Sequence, residues 1–162
     1  MNIYLSLDSY LAQWFINDQG GDNPVRLRRG SIESAFLEQA LTKPPADYIP
    51  ELQRPEDISI VLPQFKHTDT RTRFYLPPRG RDALIAIIRQ RFDVEMWREL
   101  HKWSNLFLRR QDHLIYSFME SHGIEMTETN FNAIAKRYQR KRDYYLRTKR
   151  RQQEKSVKSA KK

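Results

Sequence analysis

The chain has no cysteine among its 162 residues, which removes disulfides, thiolate catalysis and Cys-ligated zinc together, so packing alone must hold it. Proline stops at Pro78, and nothing in the rest of the chain forces a helix to break. Glycine occurs only five times, and no GxxxxGK[ST] phosphate loop, GxSxG elbow or GxGxxG turn is present. The longest uninterrupted apolar run, Ala83–Ile88, is six residues, far short of the ~20 that cross a bilayer. The opening MNIYLSLDSY has neither a basic start nor a long apolar stretch, so neither a signal peptide nor a membrane helix is expected, and the expected setting is intracellular.

Catalytic constellations are also missing. His67, His101, His113 and His122 form no HExxH or HxH pair, and no metal or other cofactor is expected. The carboxylates are scattered: Glu56 and Asp57 ahead of a strand candidate, with Lys66 beyond it, come nearest to a nuclease set and match it poorly. Asp93, Glu95 and Glu99 share one helical stretch and read as capping or solvated acids. Tyr144 and Tyr145 lack the activating His or Arg set of a DNA-attacking tyrosine. The chain is expected not to be an enzyme.

What the sequence does have is charge, unevenly placed. It carries 29 Lys and Arg against 20 Asp and Glu, a net of +9. Residues 136–162 hold thirteen of the basic residues and only Asp143 and Glu154 against them, a net of +11, which leaves residues 1–135 at −2. A concentrated positive field of this kind attracts phosphate polymers, whereas a solubilising charge would be spread over the surface. Arg26, Arg28 and Arg29 form a second, minor basic cluster.

Periodicity organises the first part as short strands and helices. Ile3–Leu7 reads as a strand, and Asp8 can cap a helix that carries Tyr10, Leu11, Trp14 and Phe15. Val25–Leu27 reads as a short strand, and Ser31 as the N-cap of a helix with Ile32, Phe36, Leu37, Ala40 and Leu41 along one stripe. Ile58–Leu62 and Arg73–Leu76 are further strand candidates. Beyond Pro78 helices follow one another: one capped by Asp82 with Leu84, Ile85, Ile87, Ile88 and Phe92, and a second capped by Asp93 with Val94, Trp97 and Leu100 inward. Leu106–Leu108 reads either as the end of that helix or as a packed turn. A third helix carries Leu114, Ile115, Phe118 and Met119 and stops at Gly123, and the last is capped by Thr127 with Phe131, Ile134, Ala135 and Tyr138.

The last helix has two unlike sides. At ~100° per residue, Ile134, Ala135, Tyr138 and Tyr145 fall within about 60° of Phe131 and form an inward stripe. Thr129, Ala133, Lys136, Arg140, Tyr144, Arg147 and Arg151 follow one another on the opposite side, flanked by Asn132, Gln139 and Arg137. Asn, Gln and Arg are the residue types able to pair with base edges, and Lys and Arg further along neutralise phosphates. Arg142 departs from this division, since it falls on the inward side.

The run SFMESHGIEMTETNFNAIAKRYQRKRDYYLR resembles a helix-turn-helix unit. Its turn, Gly123–Thr127, is longer than the tight version, so the likeness is to a homeodomain-like trihelical variant over about 94–151, with helices starting near Val94, Arg110 and Glu128. The resemblance implies duplex DNA as partner.

Together these readings predict a predominantly α-helical α+β protein. A small N-terminal sheet with two helices (1–77) precedes a C-terminal helical bundle with an extended basic helix (78–146) and a basic tail (147–162) that is disordered without its partner. The expected function is non-catalytic binding of duplex DNA, in transcriptional regulation or as an accessory in replication, recombination or packaging of a genetic or mobile element. The expected contacts are Thr129, Asn132, Lys136, Arg137, Gln139, Arg140, Tyr144, Arg147, Lys149, Arg150 and Arg151. The alternatives are an RNA-binding protein that stacks bases on Tyr144 and a protein-interaction scaffold that the tail anchors. No membrane partner is expected, because bulky apolar residues opposite the tail's charges are missing.

Overall fold

Alternating apolar residues at the start of the chain build a three-stranded sheet. A computed structural model describes residues 1–106 and 110–160, and over these the fold is predominantly helical α+β. Its strands are β1 (Asn2–Ser6), β2 (Val25–Arg26) and β3 (Asp57–Val61), in the order β1-β3-β2. β1 pairs antiparallel with β3, Ile3 opposite Ile60, and β2 pairs parallel with it, Val25 also opposite Ile60. The expected strand at Arg73–Leu76 is not formed: Tyr75 makes only a single bridge to Thr42, because no second run of paired backbone lies beside it.

Five helices accompany the sheet among the described residues: α1 (Ser9–Gln19), α2 (Ile32–Ala40), α3 (Pro78–Leu106), α4 (Gln111–Ser121) and α5 (Glu128–Ala160). Ser31 caps α2 by accepting the Ser34 N–H at 3.1 Å, and Thr127 caps α5 by accepting the Asn130 N–H at 3.2 Å. Asp8 stands at the N-cap of α1 but makes no side-chain cap bond. Gly123 takes φ 65° after α4, the left-handed conformation that favours glycine, and a Cβ there would lie 2.7 Å from Asn17 Nδ2.

Four expectations are corrected by these helices. Asp82 and Asp93 are not caps, since α3 runs unbroken through both. Its buried positions keep one phase, Leu84, Ile88, Phe92, Met96 and Leu100, so Met96 is inward while Val94 is 56% exposed. On α2 Glu33 is inward with Leu37, whereas Ile32 is 60% exposed. The tail is not an irregular segment: α5 continues to Ala160, where uninterrupted helix formers and the absence of Gly and Pro allow propagation from the packed first turns. The choice between helix end and packed turn at Leu106–Leu108 falls on residues 107–109, which lie outside the described residues, as do Lys161 and Lys162.

The chain divides into two compact units, Met1–Phe92 with His122–Glu125, and Asp93–Ser121 with Met126–Lys162. The division falls at Phe92 rather than at Pro77 because the first part of α3 packs on α1: the Phe92 ring lies 5.1 Å from Tyr10 and 5.4 Å from Trp14. The first unit buries Leu5, Leu11, Trp14, Phe15, Leu37, Ile60, Leu84 and Ile88 around the sheet. The second buries Met96, Leu100, Ile115, Phe118, Met119, Ile134 and Tyr138.

One charge cluster sits within the first core. Glu33 is fully buried and pairs with Arg91, which also reaches Asp18 at 2.9 Å and lies over the Trp14 ring at 5.5 Å. Burial opposes the Arg91 charge, but the hydrogen bonds and charges of Glu33 and Asp18 outweigh it and hold the guanidinium pKa above its ordinary value. Glu33 Oε2 has no hydrogen-bond partner, so the carboxylate depends on Arg91. Replacing Arg91 with Met is therefore expected to destabilise the chain by ~3 kcal/mol, the lower end of the range for a buried charge that loses its partner, because Arg91 itself keeps some solvent contact. Urea unfolding of the two proteins measures it, and Glu33→Leu in the Arg91→Met background is expected to restore part of the stability.

Candidate nucleic-acid interface

The second unit is built on three helical segments, and two buried residues decide how α5 sits in it. Ile134 and Tyr138, four apart, are the apolar side chains that α5 buries, together with the polar Asn130. Tyr138 meets the Trp97 ring of α3 at 5.8 Å. After Tyr138 the chain has no further apolar residue until Tyr144, since Gln139, Arg140, Lys141, Arg142 and Asp143 intervene. Beyond Tyr145 nearly every residue is exposed. α5 spans 33 residues, so a seated first half is followed by an extension without a core of its own.

The phase set by Ile134 and Tyr138 turns Lys136, Arg140, Arg147, Arg151 and Lys158 to one exposed row. At ~1.5 Å per residue the row is about 33 Å long. Among the described residues none of these five lies within ion-pairing distance of a carboxylate. Thr129 and Asn132 are exposed at the amino end of the same helix, and Tyr144 beside the row is 72% exposed.

The remaining expected contacts are placed differently. Arg137 is half-buried, its Nε 3.6 Å from Asp93 Oδ1, close enough for an ion pair but too long for a hydrogen bond. Gln139 donates to Asp143 Oδ1 at 3.2 Å, a local pair one turn along the helix. Arg150 is exposed beside the row. Lys149 lies on the other side of α5, at the mouth of a cleft of about 460 Å³.

That cleft has no counterpart among the sequence expectations. Trp97 and His101 of α3 stack at 4.7 Å, and Tyr145 of α5 meets them at 5.5 and 4.9 Å. Arg142 donates to Gln111 Oε1 of α4 at 3.3 Å and lines the same cleft. The available signal is Arg142 itself, a cation on the inward stripe, followed at the same phase by Tyr145 and Lys149.

The helix-turn-helix resemblance meets one measurable difference. α4 ends at Ser121 and α5 starts at Glu128, so six residues connect them, against three or four in the tight motif. Part of this connection belongs to the first unit, where the Glu125 N–H donates to Gln13 Oε1 at 2.8 Å. No protein-family model, curated protein or solved structure matches the chain.

The contrast between the two halves of α5 gives a stability test. Residues 147–160 are exposed apart from the half-buried Thr148, so removing residues 147–162 is expected to change the unfolding free energy by less than ~0.5 kcal/mol. Ile134→Ala is expected to cost ~2–5 kcal/mol, as for other buried aliphatic truncations. Denaturant unfolding of both variants checks the pair.

Proposed function

We propose that the protein binds duplex DNA without catalysis, through the outward side of α5. The observation that carries this reading is the row Lys136, Arg140, Arg147, Arg151 and Lys158: five exposed cations on one side of a helix, outnumbering the two carboxylates of that side, Asp143 and Glu154, neither of which lies within ion-pairing distance of them. A salt-bridged surface helix would balance the two signs along its face, whereas this side, with five cations against two carboxylates, keeps a net of +3. Here α5 holds eleven Lys and Arg against Glu128, Asp143 and Glu154. Phosphates are the natural complement, and release of their counterions on contact supplies affinity that falls with salt.

The amino end of the row has a different character. Thr129, Asn132 and Ala133 are small or amide-bearing and exposed or partly so, which allows close approach and, from Asn132, paired hydrogen bonds to adenine. Arg147 and Arg151 follow the backbone. A role in transcriptional regulation, or as an accessory to replication, recombination or packaging of a genetic element, fits such a binder. A second reading, contact with RNA, is favoured by the exposure of Tyr144, whose ring can take an unpaired base.

Replacing Arg147 and Arg151 with Gln is expected to weaken all duplexes about equally and to make the salt slope shallower by about 2, near one unit for each phosphate no longer neutralised. Asn132→Ala is expected to cost ~1–3 kcal/mol on a selected site and little on random sequence. Salt titrations on selected and scrambled duplexes decide both. Equal weakening on both duplexes, or none on either, for Asn132→Ala leaves charge without sequence readout. A large drop in affinity for Tyr144→Ala confined to RNA favours the second reading.

A further inference from the structure

The cationic charge of α5 is not confined to its outward row. Tyr138, Arg142, Tyr145 and Lys149 continue the inward stripe, and at ~100° per residue they lie roughly opposite Lys136, Arg140, Arg147 and Arg151. On an ordinary amphipathic helix that stripe would go on being apolar or would end. Here it alternates ring and cation, and it faces Trp97 and His101 across the cleft.

The cleft therefore has a definite chemistry. Its rings are those of Trp97, His101, Tyr138 and Tyr145, its charges are Arg142 and Lys149, and among the described residues no carboxylate lines it. Arg142 uses one donor on Gln111, while a guanidinium has five. Its volume of about 460 Å³ lies within the range of small-ligand sites. Tyr145 keeps 37% of its surface exposed at the opening, so a ring can be added to the cluster from outside. A flat aromatic group that carries negative charge satisfies both sets of residues, and a nucleotide is such a group.

Building on the duplex reading, we infer that this cleft takes an unpaired nucleotide of a strand that leaves the duplex, its base against Tyr145 and Trp97 and its phosphate at Arg142 and Lys149. A base inside a duplex is covered on both faces by its neighbours, so only one outside the stack can enter between rings. The outward row then holds the paired part and the inward stripe the unpaired part. The protein is thereby selective for a duplex with a single-stranded tail over a blunt one.

The test measures binding of the full chain to three probes: a blunt duplex, the same duplex with a tail of about eight nucleotides, within the span of one small single-strand site, and that tail made abasic. The natural tail is expected to tighten binding about tenfold, in the lower half of what stacking one base on an aromatic ring contributes, and the abasic tail to give much less. Tyr145→Ala is expected to abolish the gain and leave blunt-duplex affinity unchanged; Lys149→Gln, a surface change, is expected to reduce it while thermal unfolding stays as in the parent. Equal gains from natural and abasic tails, displacement of the tail by a polyglutamate peptide, or an undiminished gain in Tyr145→Ala overturns the nucleotide site and leaves the duplex reading standing. Absence of binding to any of the three probes overturns both.

Discussion

The seating of α5 on Trp97 through Tyr138, one turn after the buried Ile134, is the contact on which the direction of the exposed charges of α5 depends. A helix transmits its phase along its length, so two buried residues near its start decide where every later side chain points. Had the seat been one residue later, the row of Lys136, Arg140, Arg147 and Arg151 would turn by ~100°, and Arg142 and Lys149 would leave the aromatic cleft. The extension beyond Tyr145 contributes little to holding the fold. It carries charge whose direction the packed half sets.

The two units solve different problems. In the first, the sheet and α1 bury large aromatics, and Arg91 serves as the counter-charge of Glu33, a carboxylate with no other support. In the second, helical segments bury a modest core and leave α5 exposed along most of its length. That arrangement suits the proposed duplex binding. The charged groups of the row stand on a helix, whose backbone satisfies itself and needs no loop to position them.

Much of the fold was legible in the sequence because it is written in local periodicity. Ile3 and Leu5 alternate as a half-buried strand should, Ser31 and Thr127 precede their helices as caps, and Gly123 follows α4 at a point that needs a left-handed residue. The failures also have physical reasons. Asp82 and Asp93 are good cap residues, but an aspartate inside a helix looks the same in sequence as one at its start, and only the unbroken phase of Leu84 to Leu100 distinguishes them. Glu33 falls one turn before the buried Leu37 and so on the inward phase of α2, but a carboxylate there reads as solvated because its partner Arg91 is far away in the chain. The aromatic cleft needs Trp97 and His101 from α3 beside Tyr145 from α5, a juxtaposition that no local pattern announces. The outward row was legible because it belongs to one helix.

If unpaired cations on one side of α5 hold the phosphates of a duplex, salt must weaken the complex in proportion to their number. Affinity of the unaltered chain for a random-sequence duplex, followed across salt concentration, tests this most directly. Five contacts from Lys136, Arg140, Arg147, Arg151 and Lys158 predict a log–log slope of about −4 to −5, near −0.9 for each phosphate neutralised. A flat dependence, or no duplex binding at low salt, would contradict it.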